Sequence, residues 1–381
     1  MIDQTSRIRR ILFLFSDTGG GHRSAAEAII EALHINYGDQ ILPEMVDIFK
    51  DYAPRPLNYM PDIYPQLVRI PQAWGMSFYL SNGTRRSRLI TDGSWPYIRD
   101  AIRKLVAQHT TDLIVSVHPL GVTPTLRALG KNHPPFITVV TDLVTTHAFW
   151  FHRGTDLCLV PTDAARQRAL RCGLLPDQVQ VVGLPVANKF TQPHGDKAAL
   201  REQLGWPANL SIVLLIGGGE GMGPIEKTAQ FIANSNLPLG LVIITGRNQK
   251  LQKRLETKTW PKPTFIYGFV KQMPDFMGAA DILVTKAGPG TISEGLISGL
   301  PMILYSRLPG QEDGNVAYVV SEGAGVWAPQ PEKIIHALKT WIEHPSRREQ
   351  AEEACRRIAR PQAANQIAKI LAKYVGINPK V

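Results

Sequence analysis

A glycine turn that ends in a histidine follows the first apolar run of the chain, in the stretch Ser16–Ser24 (SDTGGGHRS). It has neither the Gly-Lys-Ser/Thr ending of a Walker A loop nor the G-x-G-x-x-G order of a dinucleotide site. His22 falls at the predicted start of a helix, whose partial positive charge disfavours a second proton on the ring. A neutral imidazole can accept a proton from an alcohol, so His22 is a candidate general base. Gly21, which has no side chain, would let an acceptor approach the backbone. The alternative is that His22 only caps the turn.

Two more glycine-rich turns, Gly217–Pro224 and Thr285–Thr291 (TKAGPGT), each follow an apolar run in the second half of the chain. Glycine amides make a cradle for an anion, and a Gly-Pro pair at a helix start suits phosphate. Glu294 could accept hydrogen bonds from a ribose diol, although a solvated first-turn acid gives the same pattern. With the polar run Pro309–Asn315 (PGQEDGN), these segments predict a nucleotide-sugar site. No D-x-D occurs in the chain, so we predict neither a metal nor another cofactor.

Short apolar runs alternate with helical periodicity along most of the chain, which is typical of parallel sheets covered by helices on both faces. The alternation lapses at about 184–209 and then restarts, so we predict two doubly wound α/β domains, 1–190 and 191–381, facing a cleft. The last helix of the second domain can pack back on the first. The predicted strands are Ile11–Phe15, Leu113–Val117, Phe136–Val140, Leu157–Val160, Val179–Val182, Ile212–Ile216, Leu241–Thr245, Thr264–Tyr267, Ile282–Thr285 and Met302–Tyr305.

Residues 51–95 interrupt this pattern with prolines and aromatic side chains and show no strand period, which predicts a functional loop or a mobile lid. Between Arg69 and Lys104, seven basic side chains stand against two acidic ones. Aromatic side chains with a cationic rim suit an anionic lipid interface, but nucleic acid needs the same ingredients, and the segment could also pack on its own domain. The candidate contacts are Trp74, Phe78, Arg85 and Arg86.

The composition limits the classes of protein that the chain can be. There are 42 Lys and Arg against 32 Asp and Glu, a net charge of +10, which fits a nucleic-acid partner, an anionic membrane or mere solubility. The three cysteines are too few and too scattered for a disulfide framework, which fits a reducing cytosol. The start of the chain lacks a signal-peptide pattern and no apolar run has the roughly 18 residues of a spanning helix, so we expect a cytoplasmic protein.

Five segments resemble the monogalactosyldiacylglycerol synthase and diacylglycerol glucosyltransferase family. This resemblance implies an inverting GT-B glycosyltransferase, related to the transferase that acts on a lipid-linked peptidoglycan precursor. It implies that His22 is the catalytic base and that Asp142, His147 and Trp150 lie near the acceptor. The resembling segments are Phe13–Ala26, Thr141–Trp150, Val181–Val186, Leu283–Glu294 and Pro309–Asn315.

The resemblance also implies a set of donor contacts, which the anion cradle at Gly217, Gly218 and Gly219 would extend. The implied contacts are Phe269 and Val270 for uracil, Gly288, Pro289, Gly290 and Thr291 for the diphosphate, Glu294 for the ribose, and Gln311 and Glu312 for the sugar.

We therefore predict a peripheral membrane enzyme that moves galactose or glucose from a UDP-hexose to 1,2-diacylglycerol with inversion. Its expected partners are the UDP-hexose, the diacylglycerol and an anionic membrane surface, with no nucleic acid. Three alternatives stay open: transfer of GlcNAc from UDP-GlcNAc to a lipid-linked peptidoglycan precursor, a UDP-GlcNAc epimerase, and a non-enzymatic nucleic-acid-binding protein. The last would explain the charge, but it would leave the glycine turns and the acidic side chains of Glu294 and Glu312 without a role.

Overall fold

The computed structural model describes residues 7–18, 20–67, 70–192 and 195–377. They form two compact units. Unit 1 comprises the described residues up to Asn188, together with Pro309–Gln311 and those from Arg360 onward. Unit 2 comprises Lys189–Leu308 and Glu312–Ala359.

Strands and helices alternate along the described part of both units. The strands, in chain order, are β1 Arg9–Phe15, β2 Ile41–Asp47, β3 Leu113–Ser116, β4 Phe136–Val139, β5 Leu157–Val160, β6 Val179–Val181, β7 Ser211–Ile216, β8 Leu239–Ile244, β9 Thr264–Tyr267, β10 Ile282–Lys286, β11 Met302–Ser306 and β12 Gly325–Trp327. The α-helices are α1 Gly21–Tyr37, α2 Met60–Leu67, α3 Pro71–Ser81, α4 Thr84–Gln108, α5 Val122–Leu129, α6 Asp163–Arg171, α7 Lys197–Leu204, α8 Ile225–Ala233, α9 Gln249–Glu256, α10 Met273–Ala279, α11 Pro289–Ile297, α12 Asp313–Ser321, α13 Pro331–Glu343, α14 Pro345–Ile358 and α15 Ala363–Tyr374.

The sheet of unit 1 has six parallel strands in the order β2-β1-β3-β4-β5-β6. Successive side chains of a strand point to opposite faces, so an unbroken apolar run is buried on both sides. In β1, Ile11 and Phe13 belong to one buried cluster, and Leu12 and Leu14 belong to the other. The first cluster also contains apolar side chains of α1 and α15, which cover that face.

The segment 51–95 is largely helical, which corrects the prediction of an irregular loop. Helices α2, α3 and the 25-residue α4 take up most of it. Pro71 opens α3, where a missing N–H breaks no hydrogen bond, so this proline starts a helix. Helix α3 also buries Phe78 while it exposes Met76 and Leu80, so no apolar stripe of helical period is visible. Arg69, part of the predicted basic patch, lies outside the described residues.

The sheet of unit 2 also has six parallel strands, in the order β12-β11-β10-β7-β8-β9. Strands β7 and β10 are neighbours, and Ile216 pairs with Thr285 at their carboxyl ends. The two glycine turns that follow these strands therefore leave the same edge of the sheet side by side. In the part of the chain that the structure describes, every helix is too short or too polar to cross a membrane.

Candidate active site

His22 lies in the first turn of α1, directly after the glycine turn that joins β1 to this helix. Gly20 precedes the helix with a φ of 75°, a conformation that favours glycine. A Cβ added to Gly21 would meet no heavy atom within 4 Å, so the backbone there is open to an approaching molecule. The loop before the turn is anchored because the buried Asp47 accepts a hydrogen bond from Asp17 N at 2.9 Å. These contacts fix the start of α1 beside an open stretch of backbone.

The His22 ring is neutral at neutral pH. Its Nδ1 atom lies 2.7 Å from Thr141 Oγ1, and the ring packs edge-on against His118 with 4.6 Å between the ring centroids. Burial lowers the pKa of His22 to about 4, although a hydrogen bond with the Val117 backbone opposes this shift. The ring is therefore free of a second proton at pH 7, as a general base must be.

His118 is a neighbour of His22 that was not predicted from the sequence. Its Nδ1 accepts a hydrogen bond from Leu120 N at 3.3 Å, which places the ring proton on Nε2, 3.2 Å from Thr18 Oγ1. Burial, together with the nearby His22 ring, holds the pKa of His118 well below its usual range. The signal for it in the sequence is its place directly after the predicted strand Leu113–Val117, at the carboxyl edge of the sheet.

Asp142 joins two side chains that were predicted to lie near the substrates. Its Oδ2 accepts a hydrogen bond from Trp150 Nε1 at 2.7 Å, and its Oδ1 accepts one from Gln311 Nε2 at 3.2 Å. Trp150 is fully buried, so it does not face a membrane; its ring centroid lies 6.0 Å from that of His22. The Asp142 carboxylate therefore connects the surroundings of His22 with the loop that contains Gln311.

Phe78 and His147 are buried beside the loop Pro309–Gln311, so Phe78 is not exposed to contact a membrane. Gly310 in this loop has a φ of 82°, and an added Cβ would come within 2.7 Å of Phe78 Cδ1, so the close approach requires glycine. The rings of His147 and Phe78 pack edge-on with 5.1 Å between their centroids, and His147 Nε2 lies 3.1 Å from Ser81 Oγ. Burial lowers the pKa of His147 to about 4, so this ring is also neutral.

The remaining predicted membrane contacts lie on α3 and α4. Arg85 and Arg86 are exposed in the first turn of α4, where Arg86 donates a hydrogen bond to Tyr79 O at 3.1 Å. Trp74 is half-buried and packs edge-on against Tyr64. The exposed apolar side chains of this region, which we refer to together as the α2–α4 apolar surface, are those of Tyr59, Ile63, Ile70, Met76, Tyr79, Leu80, Leu89, Ile90 and Tyr97.

In unit 2, the two predicted phosphate turns lie where the sequence placed them. In the first turn, Gly217–Gly219 follows β7, and Gly219 O accepts a hydrogen bond from Arg247 N at 2.8 Å. In the second, Gly288–Thr291 forms the N-terminus of α11, with a proline at the first helical position. A Cβ added to Gly290 would meet no heavy atom within 4 Å, so the first-turn amides are open to a ligand. The two turns can therefore present backbone donors at one sheet edge.

The predicted uracil contacts follow β9 at the same carboxyl edge. Phe269 is 58% exposed, and the Arg247 guanidinium lies 5.1 Å from its ring centroid. Arg247 also forms an ion pair with Glu220, at 2.6 Å. Val270, the next residue, is half-buried. This edge of unit 2 thus combines an exposed aromatic ring with the two glycine turns.

Glu294 lies within the second turn of α11 and is half-buried. Burial raises the pKa of Glu294 to about 7, while the positive charge of Lys189 opposes this shift. Lys189 Nζ donates a hydrogen bond to Lys271 O at 2.6 Å, which holds its ammonium in place. The carboxyl is therefore part-protonated near pH 7, and a ligand that donates hydrogen bonds to it would favour the ionised form.

Lys286 and Glu312 form a buried ion pair next to the second glycine turn. Lys286 Nζ lies 2.5 Å from Glu312 Oε1, and Glu312 Oε2 accepts a hydrogen bond from Leu308 N at 2.7 Å. Glu312 is 3% exposed, so both of its carboxylate oxygens are engaged inside the protein. No role was predicted for Lys286 from the sequence, although it is part of the TKAGPGT segment.

Comparison with known protein families gives two matches that together span most of the chain. Residues 22–186 match the family described as monogalactosyldiacylglycerol (MGDG) synthase, and residues 212–371 match the glycosyltransferase family 28 C-terminal domain. The chain is 39% identical to the probable monogalactosyldiacylglycerol synthase 2, chloroplastic, of Oryza sativa subsp. japonica, over 97% of this chain and 81% of that protein. It is also 39% identical to monogalactosyldiacylglycerol synthase 1, chloroplastic, of Arabidopsis thaliana, over 98% of this chain and 72% of that protein.

Solved structures of low sequence identity share the fold. The S. aureus MnaA-UDP co-structure has a TM-score of 0.63 at 15% identity and covers 97% of this chain and 98% of its own. The structure of Acinetobacter baumannii MurG has a TM-score of 0.61 at 14% identity and covers 96% of this chain and 99% of its own. Together with the two six-stranded parallel sheets, these neighbours confirm the predicted α/β fold of the GT-B class.

Proposed function

We propose that this chain, which belongs to the monogalactosyldiacylglycerol synthase family, transfers galactose from UDP-galactose to 1,2-diacylglycerol with inversion at the anomeric carbon. The observation that carries the proposed chemistry is a neutral His22 ring at an open glycine turn. Similarity to named galactosyltransferases over nearly the whole chain supports this donor and acceptor. It does not favour the GlcNAc transferase, the epimerase or the nucleic-acid-binding protein.

In the proposed reaction, His22 accepts the proton of the free glycerol hydroxyl while the hydroxyl oxygen attacks the anomeric carbon. The new carbon–oxygen bond forms on the face opposite the diphosphate, which inverts the configuration. The bond from the anomeric carbon to the diphosphate breaks, and its electron pair leaves with UDP. A ring with a low pKa is a weak base, but the hydroxyl becomes acidic as its oxygen bonds to carbon, so the transfer is favourable late in the step.

The donor is held by unit 2 in this proposal. The turn Gly217–Gly219 and the backbone N–H groups of Gly290 and Thr291 donate hydrogen bonds to the diphosphate, which also lies at the positive end of the α11 dipole. Glu294 accepts hydrogen bonds from the ribose diol, and Phe269–Val270 binds the uracil.

We further propose that the α2–α4 apolar surface binds an anionic membrane and so places the enzyme at the membrane surface. The exposed apolar side chains would enter the interface, and each arginine near anionic headgroups, such as Arg85 and Arg86, would add about 1 kcal/mol. The acceptor is a membrane lipid, so this surface would bring the protein to its substrate.

The catalytic proposal is tested with labelled UDP-galactose and liposomes that contain diacylglycerol, with the lipid product identified by mass spectrometry. We expect monogalactosyldiacylglycerol, and we expect His22→Ala to lower kcat about 10²- to 10⁴-fold with little change in the KM for the donor. His34→Ala is the matched control, because His34 is an exposed histidine in the last turn of the same helix. Near-normal turnover by His22→Ala would show that another group is the base.

Membrane binding is tested separately by sedimentation with vesicles of phosphatidylglycerol or of phosphatidylcholine. Leu80→Ser with Leu89→Ser should weaken binding to the anionic vesicles, since both side chains are exposed on the α2–α4 apolar surface. Leu175→Ser is the control, because Leu175 is 60% exposed in the turn before β6. Equal binding by the double variant and the control would contradict the assignment of this surface.

A further inference from the structure

The side chain of Lys286 lies between the two glycine turns of unit 2. Its Cε atom is 3.4 Å from the position that a Cβ on Gly218 would take, and its Nζ atom is 3.1 Å from the corresponding position on Gly288. Lys286 ends β10, where its backbone pairs with Ser306 of β11. Because neither glycine has a side chain, the Lys286 ammonium can lie beside both turns.

Glu312 is arranged to hold this ammonium. Its Oε1 is the partner of Lys286 Nζ, and its Oε2 is occupied by Leu308 N, so the carboxylate cannot rotate without losing a hydrogen bond. A lysine with 12% side-chain exposure is costly to charge without a partner, and the 3% exposed Glu312 supplies the opposite charge. An ammonium has three N–H donors and Glu312 Oε1 accepts one, which leaves donors for a ligand at the turns.

We propose that Lys286 binds the diphosphate of the sugar nucleotide and stabilises the charge that develops on it, and that Glu312 is a positioning residue for Lys286. This inference rests on the proposed function, in which UDP is the leaving group. As the bond between the anomeric carbon and the diphosphate oxygen breaks, the electron pair moves onto that oxygen. The Lys286 N–H donors stabilise the new charge without giving up a proton.

A positioning role of Glu312 and a direct contact of Glu312 with the sugar predict different effects on ligand affinity. If Glu312 acts through Lys286, its loss affects every ligand that carries the diphosphate, with or without a sugar. If Glu312 contacts the sugar, its loss affects UDP-galactose and leaves UDP unchanged. Uridine, which lacks both phosphates, reports whether the nucleoside part of the site is still folded.

The experiment measures the affinities of wild type, Lys286→Met and Glu312→Gln for UDP-galactose, UDP and uridine by calorimetry or competition. We expect Lys286→Met to weaken UDP binding about 10- to 100-fold, the range for a hydrogen bond to a charged group, with uridine affinity unchanged. We expect Glu312→Gln to weaken UDP and UDP-galactose by the same factor, and kcat to fall in both variants. Lys339→Met, which removes an exposed cation paired with Glu343 in the same unit, is the control and should change none of these values.

Unchanged UDP affinity in Lys286→Met, or equal losses for UDP and uridine, would overturn the role of Lys286. Loss of UDP-galactose affinity alone in Glu312→Gln would overturn the positioning role. Galactosyl transfer by the wild-type protein is measured separately. If wild type makes no galactolipid while Lys286→Met still lowers UDP affinity and leaves uridine affinity unchanged, the proposed acceptor or sugar is wrong and the role of Lys286 in binding diphosphate is supported.

Discussion

Acidification provides a direct test of the environment of His22. The pKa of His22 is about 4 instead of the usual 6.5, mainly because the ring is buried. At pH 5, a ring with a pKa of about 4 is roughly 90% neutral, whereas a ring with a pKa of 6.5 is roughly 3% neutral. If the neutral ring is the base, the two cases differ roughly 30-fold in the competent fraction of the enzyme at this pH. We expect kcat at pH 5 to stay close to its value at pH 7.5.

The assay follows galactosyl transfer from pH 4 to pH 8 at saturating UDP-galactose. Saturation matters because Glu294, with a pKa of about 7, also titrates in this range and would change donor binding rather than the base. Circular dichroism at each pH, and full recovery of activity on return to pH 7.5, control for unfolding. A nuclear magnetic resonance titration of the His22 ring, assigned by its loss in His22→Ala, measures the pKa directly.

A tenfold loss of kcat per pH unit beginning near pH 6.5 would contradict a His22 base with a pKa of about 4, provided that the loss persists in Glu294→Gln. It would mean either that the ring is accessible to water in solution or that another histidine is the base. A His22 pKa near 6.5 in the nuclear magnetic resonance titration would show that the ring is accessible to water.

Three further outcomes are expected. Acidification from pH 8 to pH 6 should raise the KM for UDP-galactose, because Glu294 loses its charge through its pKa of about 7; Glu294→Gln should have a high KM at both values, and a KM independent of pH in wild type would contradict this. Trp150→Phe should lower the free energy of unfolding in urea by about 1–3 kcal/mol, because the buried Asp142 loses a hydrogen-bond donor; an unchanged midpoint would argue against it. Arg201→Met should lower the free energy of unfolding by about 3 kcal/mol, because it breaks the buried ion pair with Asp281. This is the lower end of the usual range, since Lys197 on α7 still pairs with Asp281. Calorimetry should show that unit 2 melts at a lower temperature.

The strands at the centre of each sheet could be predicted because their burial on both faces leaves an unbroken apolar run. The predictions Ile11–Phe15 and Ile212–Ile216 differ from the central strands β1 and β7 only at their starts. The edge strand β2 was missed, since it contains Pro43 and Glu44, which an edge tolerates and a central strand does not. An apolar run in the sequence thus indicates that a strand is buried more directly than it indicates that the backbone is extended.

The helices of the 51–95 segment could not be predicted because they leave apolar side chains exposed. Helix α4 carries Pro96 in its interior and exposes Leu89 and Ile90, so it shows neither the composition nor the single apolar stripe of a helix packed on a core. Apolar side chains that remain exposed have no periodicity imposed on them by burial.

The candidate site was only partly readable from the sequence. His22 and Glu294 lie next to glycine turns, so local spacing was enough to select them. The ring contact of His118 with His22 joins positions 96 residues apart, which no local pattern reports. Lys286 was overlooked because a lysine at a strand end is common; its significance appears only when Gly218 and Gly288 are seen on either side of it.

Helix α15 determines when the core of unit 1 can be completed during translation. Its side chains Ile367 and Leu371 are fully buried in the same cluster as Ile29 and Leu33 of α1, so this helix completes the core of unit 1. During translation, all of Lys189–Ala359 must leave the ribosome first, which takes on the order of 10–30 s at typical rates of synthesis. Throughout that interval one face of α1 stays uncovered while unit 2 can already fold. The unit that is synthesised first therefore finishes folding last, and chaperones that bind nascent chains should recognise its exposed face.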